Sequence, residues 1–252
     1  MNVSPIDRST AAAATAKTSA TAPKGGLGDL NAIGQAIQKA DRRIQQQRDV
    51  TSVQLSSLGK LQSAYANVKT AAQALSKTGQ TTSDSDVGSA ASNFVAAFNG
   101  AATASRSASA APSPLADSTG VRRAGSELQR TANDNAADLN KIGITRQKDG
   151  TLAIDKEKFG AALQSSPEAV RGTLSAIGQQ ADRTATQELG ANGNLGNTAS
   201  TLRDRASRLE SRQVDQQAQT AAAQQTIDAQ SARFAGLGGV GGIVAYQRAL
   251  SS

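Results

Sequence analysis

The chain has 252 residues, 38% hydrophobic but only 2% aromatic, with no Cys, His or Trp and a formal charge of +7 at pH 7. Without Cys there are no disulfides or thiolates, and without His the commonest general base and nitrogen ligand are missing, so no catalytic, cofactor-binding or metal-binding residue is expected. The apolar content is largely Ala, which favours thin helical layers over a thick core. A pI near 10.0 raises nucleic acid or an anionic surface as a partner. The basic residues are scattered, however, and Lys39, Arg42, Arg43 and Arg48 stand beside Asp41 and Asp49, so a solvated helix face is expected there and nucleic acid is not.

Residues 1–28 are expected to be a disordered leader, rich in Ser, Thr and Ala with Pro5 and Pro23, and closed by Gly25, Gly26 and Gly28. They lack the basic, apolar, small-residue order of a cleaved signal peptide, and no run in the chain has the length of a membrane span. Asp29 is placed to cap a long helix over residues 29–77. One heptad series reads Leu30, Ile37, Ile44, Thr51, Leu58, Tyr65, Ala72, and the other Ile33, Ala40, Gln47, Gln54, Leu61, Val68, Leu75. Together they lay a narrow apolar seam along a helix on the order of 65–70 Å long.

Lys77, Thr78 and Gly79 stop this helix. A short amphipathic helix follows, from Val87 to about Ala104, on which Phe94 and Phe98 anchor a small core. Residues 105–119, with Pro112 and Pro114, form a linker, and a helix from Val121 to Ala132 follows it. A β-hairpin is expected over residues 142–154, because Asp149-Gly150 separates two alternating apolar runs and such a turn needs positive φ. Asp155 caps a helix carrying Phe159, Ala162 and Leu163. Ser166-Pro167-Glu168 opens the next, with Pro at its first position and Val170, Leu174 and Ile177 on one face. The middle region, residues 78–196, ends in a Gly-Asn turn from Gly190 to Gly196.

Asn197 or Thr198 is expected to cap a closing helix over residues 197–237. Its seam reads Leu202, Leu209, Gln216, Ala223, Gln230, Leu237 and Ala206, Gln213, Thr220, Ile227, Phe234. Both long helices are apolar at their ends and polar in the middle. Run antiparallel, the polar bands meet as Gln47 with Thr220, Thr51 with Gln216 and Gln54 with Gln213. The apolar layers pair Leu30 with Leu237, Ile33 with Phe234, Ile44 with Ala223, Leu58 with Leu209, Leu61 with Ala206 and Tyr65 with Leu202. Ile37 opposite Gln230 is the exception. Two independent helices are the plainer alternative, and the matched polar bands weigh against it. Gly238, Gly239, Gly241 and Gly242 then read as a flexible joint before an apolar tail over residues 238–252 with Ile243 and Tyr246. The glycines lack the Lys-Ser/Thr ending of a phosphate loop. The fold class is thus mainly α: a long antiparallel coiled coil of N- and C-terminal helices with a small helical middle containing one β-hairpin.

Three stretches resemble the flagellar hook-associated protein 2 family, the filament-cap proteins. The first runs from Gly26-Leu27-Gly28-Asp29-Leu30-Asn31-Ala32-Ile33 to Leu58-Gly59-Lys60-Leu61. The second holds Leu139-Asn140-Lys141-Ile142-Gly143-Ile144, Asp149-Gly150-Thr151-Leu152-Ala153-Ile154-Asp155 and Ser166-Pro167-Glu168-Ala169-Val170. The third is Arg233-Phe234-Ala235-Gly236-Leu237 with the apolar tail. The resemblance implies a secreted structural protein of the bacterial flagellum, exported through the flagellar type III channel. It would form a homo-oligomer, meet flagellin and hook-junction proteins, leave room for an export chaperone, and promote flagellin insertion. The chain departs from the family in having only a short helix and a linker where a large β-rich insertion usually stands.

The function expected is therefore structural and not enzymatic. Assembly rests on Leu30, Ile33, Ile37, Ile44, Thr51, Leu58, Leu61, Tyr65, Leu202, Leu209, Gln216, Ile227, Phe234, Leu237, Ile243 and Tyr246. The alternatives are a basic nucleic-acid-binding protein, and a tip or translocator protein of a related injection apparatus. Asp149 and Asp155 are better explained as turn and cap residues than as an acid/base pair.

Overall fold

The computed structural model describes the backbone of residues 27–250 and the side chains of residues 34–229 and 232. In chain order the elements are α1 (Leu27–Ser76), α2 (Asp84–Ser109), α3 (Thr119–Asp134), α4 (Ala136–Lys141), β1 (Ile144–Arg146), β2 (Leu152–Ile154), α5 (Lys156–Ser165), α6 (Pro167–Leu189) and α7 (Asn194–Leu250). The architecture is mainly helical with one antiparallel hairpin. The chain divides into two compact units, one of residues 1–38 with 227–252 and one of residues 39–226.

The middle of the larger unit holds a continuous apolar core. Leu58, Leu61, Tyr65, Val68, Ala72 and Leu75 of α1 enter it with Phe94 and Phe98 of α2, Leu128 of α3, Leu174 of α6 and Leu195 of α7. The two Phe rings stand 6.2 Å apart at 45°, a tilted aromatic pair at the centre of a chain with few aromatics. Small residues let the helices close up. A Cβ on Gly178 of α6 would lie 2.7 Å from both the Ala72 carbonyl oxygen and the Ser76 nitrogen. Ser175 Oγ donates to the Ser76 carbonyl at 3.0 Å.

Several element ends follow the sequence reading. Ser83 Oγ accepts the Asp86 N–H and Ser118 Oγ the Val121 N–H, capping α2 and α3. Asp155 accepts the Glu157 and Lys158 N–H groups, and α6 opens on Pro167 as expected. Others differ. Helix α1 is already formed at Leu27, so Asp29 lies inside its first turn and does not cap it. Helix α2 runs to Ser109, well into the expected linker, because its Ser, Ala and Arg residues continue the helix until Pro112 approaches. Helix α4 was not anticipated.

The hairpin pairs Ile144 with Ile154, Thr145 with Ala153 and Arg146 with Leu152. It does not close on a two-residue Asp-Gly turn. The Gly150 N–H donates to the Gln147 carbonyl and the Gln147 N–H to the Thr151 carbonyl, and of the residues between the strands Gly150 has positive φ, 81°. This is a longer loop in which glycine supplies the left-handed residue. Asn99 of α2 covers the free edge of β2. Its Nδ2 donates to the Leu152 carbonyl at 2.8 Å and its Oδ1 accepts the Leu152 N–H at 2.7 Å, so both groups are satisfied as a third strand would satisfy them.

Candidate functional site

The stem formed by α1 and α7 is the feature on which an assembly function would rest. Along α7, from residue 201 to residue 229, the positions withdrawn from solvent are Leu202, Ala206, Leu209, Gln213, Gln216, Thr220, Ala223 and Ile227. They step by four and three throughout, which is the heptad seam. On α1 the seam departs from the heptad count. Ile37, Ala40, Ile44, Arg48, Thr51 and Leu58 turn inward, and Gln47 is exposed. Two successive steps of four, from Ala40 to Ile44 and from Ile44 to Arg48, replace four and three. The next step, to Thr51, is three, so Ile44, Thr51 and Leu58 keep the seven-residue count and only Gln47 gives way to its neighbour Arg48.

The polar bands meet through different atoms from those expected. Thr51 is buried, but its hydroxyl donates to the Gln47 carbonyl of its own helix at 2.7 Å, and the Thr220 hydroxyl donates likewise to Gln216 at 2.8 Å. Each is satisfied without crossing the interface. The crossing contact is Arg48 Nη1 to Gln213 Oε1. Gln213 thus meets a residue six positions before Gln54, its expected partner, while Gln54 Nε2 donates to the Pro114 carbonyl at 2.9 Å. Two cavities agree with this offset. One of about 360 Å³ is lined by Arg48, Ser52 and Leu55 with Ala206 and Glu210. Another of about 420 Å³ joins Gln54 to Pro114, Asn194, Thr198 and Leu202. The helices are antiparallel, with α7 slid along α1 relative to the heptad pairing.

Beyond Leu55, α1 leaves the stem and serves the core. Tyr65 does not stand in a two-helix layer: its hydroxyl lies 3.3 Å from Ser105 Oγ of α2. Burial drives the phenol well above its ordinary pKa; the Ser105 hydrogen bond opposes this and the nearby Glu188 charge adds to it. Glu188, 3% exposed near the end of α6, starts α7. Its Oε2 accepts the Asn194 N–H at 3.2 Å and its Oε1 accepts Asn194 Nδ2 at 2.9 Å. Glu188 therefore caps the helix, and Asn197 and Thr198, the expected caps, lie inside it. Burial raises the Glu188 carboxyl above its ordinary value, against the Asn194 hydrogen bonds. Sequence reasoning missed Glu188 because its partner is six residues away across a turn, outside any cap motif.

The expected turn and cap carboxylates behave as such. Asp149 is held below its ordinary pKa by the Thr151 hydroxyl and N–H, and Asp155 by the Lys158 N–H. Helix α7 runs unbroken through Gly238–Gly242 to Leu250, which corrects the flexible joint. Glycine lowers helix propensity without removing a backbone donor, and no Pro follows. The side chains of Leu30, Ile33, Phe234, Leu237, Ile243 and Tyr246, and the leader as far as residue 26, lie outside the described residues. Among the described residues no helix is long and apolar enough to cross a membrane.

Comparison with known families settles the kinship of this fold. A family model described as the flagellar hook-associated protein 2 C-terminus matches residues 67–236. The chain belongs to the flagellar hook-associated protein 2 family. Neither a curated protein nor a solved structure matches the chain. The family match opens near the end of α1, takes in the whole helical middle with its hairpin, and includes Leu202, Leu209, Gln216, Ile227 and Phe234 of α7. The N-terminal likeness, from Gly26 to Leu61, lies outside it. This family is a structural component of the flagellum, and in this member β1 and β2 are the only strands among the described residues.

Proposed function

We propose that this chain is a non-enzymatic subunit of the flagellar tip or hook–filament junction, exported by the flagellar type III route. Its paired α1 and α7 helices enter the axial assembly, and copies of it promote flagellin addition at the filament end. The family match over residues 67–236 carries this reading. The antiparallel stem supports it, since a long seam with polar residues at its centre suits a rod that docks among other rods better than an isolated globule. Flagellin, hook-junction proteins and an export chaperone are the partners this role requires.

Immunogold electron microscopy of intact cells tests it. Label at filament ends or at the hook junction is expected; label absent from the flagellum overturns the reading. Deleting residues 238–252 is expected to stop incorporation while the purified monomer stays helical by circular dichroism. Normal filament growth by that truncation would count against a role for the α7 end.

A further inference from the structure

Helices α2 and α3 and the tip of the hairpin enclose an open cleft of about 570 Å³. Its floor is made of small residues. Ala102 and Ser105 of α2 meet Gly125 of α3, where an added Cβ would stand 3.2 Å from the Ser105 Cβ. Gly150 closes one end: without a side chain it lets the hairpin tip settle on Gln129, whose Oε1 would lie 2.5 Å from a Cβ there. The walls are basic. Arg106 of α2, Arg122 of α3, and Arg146 and Lys148 of the hairpin line the cleft, and Asp149 is the one carboxylate among its lining residues. The acidic residues of α3, Glu127 and Asp134, lie about 100° or more around the helix from the stripe through Arg122, Gln129 and Asn133.

The contacts that hold these cations leave them charged. Arg122 Nη1 donates to the Ala116 carbonyl at 2.7 Å, and Arg146 Nη2 donates to Gln129 Oε1 at 3.3 Å. Neutral oxygens thus orient both guanidinium forks without neutralising them. Lys148 forms no ion pair among the described residues. Asp149 offsets little. Its Oδ1 accepts the Thr151 N–H and hydroxyl, and its Oδ2 stands 3.8 Å from Arg106 with both side chains half exposed, a contact that contributes little in water.

The charges are strung out along the cleft. Ser105 packs on Gly125, so Arg106 stands between Arg122 and the Arg146–Gln129 contact, and the seven steps from Arg122 to Gln129 cover about 10 Å of α3. A single phosphate or sulfate is too small to meet both ends. An extended peptide can, because side chains two residues apart point the same way at a spacing of about 7 Å. The Gln129 and Asn133 amides on the α3 wall offer hydrogen bonds to its main chain, as Asn99 does for Leu152. No aromatic ring on which a base could stack lines the cleft.

We propose that this cleft binds an extended acidic peptide segment of a partner protein, with Asp or Glu carboxylates on the Arg122 and Arg146 guanidiniums and with Arg106 and Lys148 adding to the field. The site goes beyond the assembly role, and its test does not depend on that role.

A fluorescently labelled hexaglutamate peptide is titrated by anisotropy with the full chain, purified free of nucleic acid. Salt is kept at about 0.1 M, where charges more than about 10 Å away are screened. Wild type is expected to bind, more weakly as salt rises. Arg122→Glu at one end of the cleft, and Arg146→Glu with Lys148→Glu at the other, are each expected to weaken binding at least about tenfold. Arg203→Glu with Arg208→Glu makes the same charge change as the second variant at exposed α7 positions outside the cleft, and is expected to stay within about twofold of wild type. The substituted residues are all exposed, and unchanged helicity and Tm check that each variant folds. A wild type that does not bind would overturn the site, and so would an equal loss in the α7 control, which would mean that the peptide senses net charge alone. Loss at one end only, or displacement of the peptide by micromolar inorganic phosphate, would make this a small-anion site and overturn the peptide assignment. A hexathymidylate that binds as tightly as hexaglutamate and is weakened by the same variants would overturn it in favour of nucleic acid.

Discussion

Two glycines of α6 show how a single side chain's surroundings fix the sign of a substitution. Gly172 has nothing within 4 Å of where a Cβ would stand, whereas at Gly178 the backbone of α1 is 2.7 Å away. Gly172→Ala should add about 0.5–1 kcal/mol by relieving the entropy cost of glycine in a helix. Gly178→Ala must push α1 and α6 apart and should cost about 1–3 kcal/mol. Urea midpoints of the two variants, moving in opposite directions from wild type, check both. Glu188 gives a pH signature. Its carboxyl is raised by burial above the ordinary 4.5, so the native state holds the proton more tightly than the unfolded chain. Its contribution to stability is then full below 4.5 and declines as pH rises through the folded value. Glu188→Gln removes this dependence while keeping an acceptor for Asn194. The stability of wild type relative to the variant should therefore be higher at pH 4 than at pH 7. A gap that widened towards pH 7 would mean that the Asn194 hydrogen bonds outweigh burial.

At the scale of elements, what was legible in the sequence depended on how far neighbouring residues alone decide the outcome. The α7 seam could be read because every position between seam residues from 203 to 226 is polar, small or exposed. The pairs expected across the stem could not be placed, because Gln47 and Arg48 are both polar and nothing local says which turns inward. The core-facing half of α1 looked like more coiled coil, since Leu58, Leu61 and Tyr65 keep the same spacing whether one helix or several pack on them. Asn99 was invisible because its partner, Leu152, is brought to it by tertiary structure, and Glu188 because it reaches Asn194 across a turn that no cap motif describes. The glycines of α7 were misread for the opposite reason. Local propensity marked a break, and the helix nevertheless continues from Asn194 to Leu250. If it is continuous, Gly241→Ala should raise the ellipticity at 222 nm slightly, and Gly241→Pro should lower it and cost about 3 kcal/mol of helix stability. A joint at this point would leave both signals unchanged.

For the whole molecule, burial is graded along α1, and this predicts graded stability. From Leu58 to Leu75 every seam residue is at most 1% exposed and belongs to the central cluster. Between residues 39 and 54 only Thr51 is buried, and the remaining seam positions are half-buried against a single neighbouring helix. Few apolar contacts must break to separate that part of the stem, so it can open while the core stays folded. Continuity of the helix does not prevent this, because a two-helix seam contributes little packing beyond its own hydrogen bonds. Native-state hydrogen exchange should resolve two classes. Amides around residues 61–75 and 174–185 should exchange through global unfolding, and those around residues 40–50 and 214–225 should exchange about 100-fold faster or more, a gap of about 3 kcal/mol. Uniform protection along α1 would show instead that stem and core unfold as one unit, and that the stem needs no neighbour to be stable.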